Sequence, residues 1–259
     1  MIVKRILTTS FFILSLSPAF AINPIPGVYG GVIVGGSGQL GIDSPFVNPL
    51  NDLLINSDTE IGQKIQALSV PNSTLSDTLS YSILGLIGGQ LGYRWHQTRL
   101  EAELFYNSAP FSSLRISNGV EKITISSNDT SRNYISGSTG TLAVMLNAFY
   151  DLLPPDYYDS SFAPFVGIGG GYVSVNNTMQ FYLEGRELQF WNIDETKSAA
   201  GGQVMAGVLY FLDDFSNFGV DVRFFSSTNI SSKVKDIPYT YNVQIFSVNL
   251  TFNGAFNFG

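Results

Sequence analysis

The segment RLEAELFY, Arg99 to Tyr106, constrains this chain more than any other. Leu100, Ala102, Leu104 and Tyr106 share one side of a two-residue period, and Arg99, Glu101, Glu103 and Phe105 share the other. Successive side chains of a strand point to opposite faces, so the pattern reads as a strand between two unlike environments. The same period recurs along the chain. Leu142, Val144, Leu146, Ala148 and Tyr150 alternate with Met145, Asn147 and Asp151. Val204, Ala206, Val208, Tyr210 and Leu212 alternate with Gln203, Met205 and Gly207, and Phe218, Val220, Val222 and Phe224 with Asp221 and Arg223. Ile83, Ile87, Leu91, Tyr93 and Trp95 oppose Gln90 and Arg94, and Val166, Ile168 and Tyr172 oppose Gly167, Gly169 and Gly171. Phe246, Val248, Leu250, Phe252, Phe256 and Phe258 enclose Ser247, Asn249, Thr251 and Asn253. With a first strand near Gly27–Gly41, the count is eight.

The apolar faces are bulky and tipped with aromatics, while the opposite faces mix glycine, methionine, amides and a few charges. Only 13% of the 259 residues are charged although 44% are hydrophobic. No apolar run outside the N-terminal segment reaches the length of a membrane helix. These features predict an all-β fold: an eight-stranded antiparallel, up-and-down transmembrane β-barrel with lipid outside and a narrow polar interior. Gln90, Arg94, Arg99, Glu101, Glu103, Asn147, Gln203, Asp221 and Arg223 then face the lumen. A buried carboxylate needs a cation, so these residues are expected to form a structural polar network.

Connection lengths alternate. His96–Thr98, the segment LPPDYYDSSF after Asp151, and Asp213–Asn217 are short. The other connections, about 37–82, 107–139, 176–197 and 227–241, are long. Short turns on the periplasmic rim and long extracellular loops are the build of an outer-membrane barrel. Across the shortest turn, pairing Trp95 with Thr98 sets Arg94 opposite Arg99 and Tyr93 opposite Leu100, which keeps like faces together. Ile61, Ile65 and Leu68 fall on one helical stripe, with Ser57 or Asp58 able to cap, which predicts a short helix over 58–69. Trp95, Tyr93, Tyr150, Tyr172 and Tyr210 are candidates for the interfacial aromatic belts.

At the N-terminus, Lys4 and Arg5 precede an apolar stretch from Ile6 to Leu16, and Ala19-Phe20-Ala21 supplies small residues for cleavage. Residues 1–21 are therefore expected to be a signal peptide cleaved after Ala21, leaving 22–259 as one barrel domain exported by the general secretory route.

The strands RLEAELFY, LAVMLNAFYDL, APFVGIGGGY and GGQVMAGVLYFL, in this order with a closing aromatic strand, resemble the opacity-type and major-surface-antigen proteins of Gram-negative outer membranes. Their barrel is similar to the OmpA type. The resemblance implies an eight-stranded barrel with exposed loops that are often immunogenic and sometimes adhesive. One departure is that the last aromatic, Phe258, is penultimate to Gly259, so the aromatic assembly signal is set back by one residue.

Other chemistry finds little support. The absence of cysteine removes disulfides and thiolate sites. The single histidine, His96, falls in a short turn on the rim opposite the long loops, away from any serine partner a lipid hydrolase would need. One histidine and no cysteine exclude His/Cys metal sites. Asp43, Asp52, Asp58 and Asp129 lack EF-hand spacing. The Asn72-Ser73-Thr74 and Asn128-Asp129-Thr130 triplets are ordinary in such loops. Glu101 and Glu103 lie about 7 Å apart by strand rise, but a filled eight-stranded barrel has no room for a sugar. Gly36-Ser37-Gly38-Gln39-Leu40-Gly41 spells the dinucleotide turn G-x-G-x-x-G, yet Pro45 and Pro49 break the helix such a turn needs. A net charge of -7 leaves no footprint for nucleic acid.

The function expected is therefore a non-enzymatic outer-membrane surface protein without a cofactor. The barrel anchors it and the loops serve surface interaction or adhesion. Its partners are the bilayer and lipopolysaccharide, the barrel-assembly machinery during biogenesis, and host surface molecules at the loops. A narrow, porin-like solute channel is the alternative. Inward Phe105, Met145, Phe149 and Met205 would plug such a channel. An outer-membrane lipid enzyme and a lipocalin-like periplasmic binder stand behind these two.

Overall fold

The computed structural model describes residues 26–40, 42–43, 63–64, 76–118, 122–127, 133–152, 161–183, 186–187, 192–234 and 237–256. Its strands are β1 (Gly27–Gln39), β2 (Ile42–Asp43), β3 (Ser76–Tyr81), β4 (Leu84–Trp95), β5 (Thr98–Ser117), β6 (Lys122–Ser126), β7 (Tyr134–Asp151), β8 (Phe162–Leu183), β9 (Arg186–Glu187), β10 (Ile193–Phe211), β11 (Ser216–Ser227), β12 (Ile230–Val234), β13 (Ile237–Tyr241) and β14 (Gln244–Ala255). Eight of them close a ring of antiparallel neighbours in the order β1, β4, β5, β7, β8, β10, β11, β14 and back to β1. Each barrel strand pairs with the next in sequence, and closure leaves the membrane section no free edge, as a hydrocarbon surround requires.

The register follows the chemistry of the faces. Trp95 pairs with Thr98, Arg94 with Arg99 and Tyr93 with Leu100. Outward positions carry exposed apolar groups such as Leu146, Ile168 and Leu250. Exposed Tyr93, Trp95, Tyr150, Phe162, Phe218, Phe252 and Phe256 ring the end with the short turns, where Tyr210 packs on Phe162. Tyr106, Tyr172, Phe224 and Phe246 are exposed nearer the other end. From Phe162 to Tyr172 on β8 the outward apolar run spans about 25 Å at ordinary strand rise and barrel tilt, the height of an outer-membrane apolar band.

Two sequence expectations change in detail. The segments expected as long loops are in large part strand. β5 runs on to Ser117, β8 to Leu183, β10 begins at Ile193, and β3, β6, β9, β12 and β13 lie inside those segments. Their backbone groups find partners by prolonging the ladder, as β5 pairs with both β3 and β6 beyond the apolar band. The first strand likewise runs through the glycine-rich stretch to Gln39 instead of ending at the dinucleotide-like motif. Although both of its faces carry apolar residues, they part cleanly: Val32 and Val34 are exposed, and Tyr29 and Ile33 are buried inside.

Of the expected helix over 58–69, only Gln63 and Lys64 are described, and both are helical. The expected signal peptide at 1–21, most of the connection 153–160, the two Asn-x-Ser/Thr triplets, the loop aspartates at 52, 58 and 129, and the aromatic terminus beyond Phe256 lie outside the described residues.

Candidate functional site

Two features could carry function: the lumen, and the outer strand extensions. The lumen is built by the inward residues of all eight barrel strands. Toward the short-turn rim, Arg99 from β5 donates from Nε to both carboxylate oxygens of Asp151 on β7, at 2.9 and 3.1 Å, and from Nη1 to Glu101 Oε1 at 2.6 Å. Arg94 from β4 adds an ion pair to Asp151 at 3.3 Å. The Tyr29 hydroxyl from β1 donates to Glu101. The Arg99 guanidinium lies 4.5 Å from the centroid of Phe149 and 4.9 Å from that of Phe165, and Arg94 lies 5.0 Å from that of Phe211. Phe149, Ala163, Phe165, Met205, Leu209 and Phe211 pack together there. The charges therefore sit in an apolar and aromatic surround, where fork-shaped guanidinium pairing is strongest.

A second cluster follows further along the barrel. Glu103 Oε1 accepts from Arg223 Nη1 at 2.5 Å. Its Oε2 accepts from Asn147 Nδ2 at 2.7 Å and from Gln203 Nε2 at 3.4 Å. Arg223 also donates to Asp221, Nε to Oδ1 at 2.6 Å and Nη2 to Oδ2 at 3.2 Å. Asn249 Nδ2 donates to Asp221 Oδ1 at 2.9 Å. Gln90 donates to Asn253 Oδ1 at 2.6 Å, and Asn253 in turn to Asn217 at 3.0 Å. Large inward side chains need bare backbone opposite them. A Cβ on Gly31, Gly35 or Gly169 would stand 2.0, 2.1 or 1.9 Å from the Oδ1 of Asn253, Asn249 or Asn147.

All nine residues named from the sequence as lumenal lie inside and are buried. The structure brings Arg99 to Glu101, and joins Glu103, Asn147, Gln203, Asp221 and Arg223. Arg94 reaches Asp151, and Gln90 reaches Asn253; neither partner stood among the nine. Asp151, Asn249 and Asn253 share the inward parity of their strands, so alternation alone could have found them. Tyr29 was hidden by the apolar residues on both faces of the first strand.

Beyond these clusters the inward face turns apolar. Ile33, Leu86, Phe105, Met145, Val173, Phe225 and Ile245 fill the barrel, with Phe105 and Phe225 edge to face at 5.6 Å. The same buried cluster continues past the membrane band through Phe111, Leu114, Ile125, Met179, Phe181 and Ile193, reaching Ile230, Tyr241 and Val243 at β12 and β13. Asn177 on β8 donates to the Tyr241 hydroxyl at 2.7 Å. The outer section is thus a β-lobe whose core is continuous with the apolar filling of the barrel. Its outward face carries exposed polar residues, among them Arg115, Lys122 and Thr124.

His96 is exposed in the two-residue turn between β4 and β5, with φ at 53°. It is a turn residue in the left-handed region, which histidine tolerates better than most.

Residues 55–247 match a family model described as surface antigen. No curated protein matches the chain. Among solved structures, the chain is similar to Neisserial surface protein A at 12% identity, over 89% of this chain and 97% of that one, with a TM-score of 0.45. It is similar to the outer membrane protein OprG of Pseudomonas aeruginosa at 12% identity, over 91% and 100%, with a TM-score of 0.45. It is similar also to Ail, the attachment invasion locus protein of Yersinia pestis, at 9% identity, over 88% and 99%, with a TM-score of 0.39.

Proposed function

The chain belongs to the surface antigen family, and from that membership we propose that it is a non-enzymatic contact protein of the cell surface. The barrel anchors it in the outer membrane after export through the general secretory route and insertion by the barrel-assembly machinery. The outer lobe meets lipopolysaccharide at its base and host surface molecules at its tips.

The observation that supports this reading best is the projecting wall. β5, β7, β8 and β10 are 18 to 22 residues long, against 12 or 13 for β1, β4, β11 and β14. On β8 the continuation from Tyr172 to Leu183 adds about 25–30 Å past the apolar band at ordinary strand rise and tilt. A barrel that served only as a packed anchor would have no use for such extensions. The solute-channel reading meets a lumen filled by Phe105, Met145, Phe149 and Met205, all buried. The carboxylates that a hydrolytic reading would need, Glu101 and Glu103, are both held by arginines.

Protease shaving of intact cells, followed by adhesion of the cells to host-cell monolayers, tests the proposal. Shaving is expected to remove the outer lobe and spare the barrel. Replacing residues 112–133 by a short turn is expected to lower adhesion while the barrel still inserts. Resistance to shaving together with stable single-channel steps in planar bilayers would overturn the reading.

A further inference from the structure

The lumenal charges do not balance. Among the described residues, the buried charged side chains inside the barrel are Arg94, Arg99 and Arg223 against Glu101, Glu103, Asp151 and Asp221. The cluster nearer the turns is neutral, with Arg94 and Arg99 facing Glu101 and Asp151. The second cluster has one arginine, Arg223, between two carboxylates, Glu103 and Asp221. It carries one surplus negative charge at 5% exposure or less. An uncompensated charge in such a place is strongly destabilising, so a folded chain rarely keeps one.

Among the described residues, the other walls supply no cation at this level. β8 lines this level with Gly167, Gly169 and Gly171. β7 and β10 bring the amides Asn147 and Gln203, and β14 brings Asn249. β1 brings Gly31 beside Gln90 and Gly35 beside Asn249, and β4 brings Gln90. A second, independent observation lies in those amides. Asn249 Oδ1 and Gln90 Oε1 are buried and accept no hydrogen bond from the protein. Asn249 belongs to the amide whose nitrogen is bonded to Asp221, and Gln90 is the register partner of Glu103. Two orphaned acceptor oxygens thus belong to amides on the strands around the cluster, that of Asn249 standing over Gly35 of β1. A neutral donor would satisfy the oxygens and leave the charge; a positive one answers both.

We propose that the Glu103–Arg223–Asp221 cluster holds one additional positive charge, with the amide oxygens of Gln90 and Asn249 beside it. The charge is supplied either by a proton added to a carboxylate or by a monovalent alkali cation. The barrel interior is therefore a one-charge binding site, and its occupancy ties the stability of the anchor to the ionic conditions around it.

The full chain, refolded in detergent micelles, gives the test through its unfolding equilibrium in urea. Three series are compared: pH 6 to 9, sodium or potassium chloride at fixed pH, and the chloride of a bulky organic cation at equal ionic strength. A bound proton is expected to raise the folding constant up to tenfold for each pH unit lowered, because the folded state holds a proton that the unfolded glutamate has released. An infrared carboxylic-acid band should accompany it. A bound alkali ion is expected to raise the folding constant up to tenfold per decade of sodium or potassium, with no such effect of the organic cation. Glu103→Gln removes the surplus charge and should abolish whichever dependence the natural chain shows. Asp221→Asn does so from the other side of Arg223, should the first variant fail to refold. A natural chain with neither dependence, or variants that keep it in full, would overturn the proposal.

Discussion

Arg99 is the residue on which the inner half of the lumen turns. It alone holds both Asp151 and Glu101, between two aromatic rings. Arg99→Ala leaves two buried carboxylates short of a partner and is expected to cost about 3–5 kcal/mol in urea unfolding of the refolded protein. Arg99→Lys cannot reproduce the fork and should recover only part of that loss. The glycines separate by face. A Cβ on Gly36 meets nothing within 4 Å, whereas one on Gly31 meets the Asn253 side chain and the Phe252 carbonyl. Gly36→Ser is therefore expected to insert normally, and Gly31→Val to fail in the heat-dependent gel-mobility shift that marks a closed barrel. At the first turn, His96→Gly should match or exceed the natural chain in stability. His96→Val should lose about 1 kcal/mol, because a β-branched side chain fits the left-handed region worse than histidine does. The lumenal arginines and glutamates were legible in the sequence because parity assigns a face. Their partners were not, because which inward groups meet across the barrel depends on tilt and shear, which a strand pattern does not contain.

The strands were legible only as far as the membrane reaches. Inside the apolar band the outward face is greasy and the inward face mixes charges and amides with packed apolar groups. Past it the contrast inverts, with Met179, Phe181 and Ile193 inside and Gln180 and Asp194 outside. On β5 the parity also shifts: Phe111 faces inward, and so do Leu114 and Ile116, across an irregularity at the β3 pairing where Ser80 meets Ser113 and Tyr81 meets Phe111. A pattern that inverts and slips at once reads as its own end, so these strand extensions look like loop in the sequence. The lobe beyond shares one continuous apolar core with the barrel but stands outside the membrane band, so it should open first. Leu114→Ala, at a fully buried position, is expected to cost about 2–5 kcal/mol of local stability. It should speed proteolysis of the lobe while the gel-mobility shift of the barrel persists. At the opposite rim, Asp213 Oδ1 accepts from the backbone N–H of Phe215 at 2.8 Å and of Ser216 at 2.6 Å. The Phe215 amide, then the Ser216 hydroxyl, hold its carboxyl below the usual aspartate range. The folded value is depressed, so this stabilisation is complete above the ordinary aspartate pKa and is lost as pH falls through the folded one. Asp213→Asn should flatten that acid limb of the unfolding curve.

At the scale of the molecule, one change organises everything: an apolar outer face over a charge-bearing interior across the membrane band, and a polar outer face over an apolar interior above it. The first arrangement suits lipid and the second suits water, so the chain must stand with its long strands out of the membrane on one side only. The sequence contains no cysteine, which permits a direct test by single introduced cysteines and a membrane-impermeant thiol reagent on intact cells. Thr124→Cys places the thiol on the exposed face of β6, Asp214→Cys in the turn before β11, and Leu146→Cys on the lipid face of β7. Labelling at position 124 alone, with position 214 reacting only after the outer membrane is opened and position 146 not at all, is the expected result. Labelling at 214 in intact cells, or protection at 124, would contradict the orientation and with it the surface role.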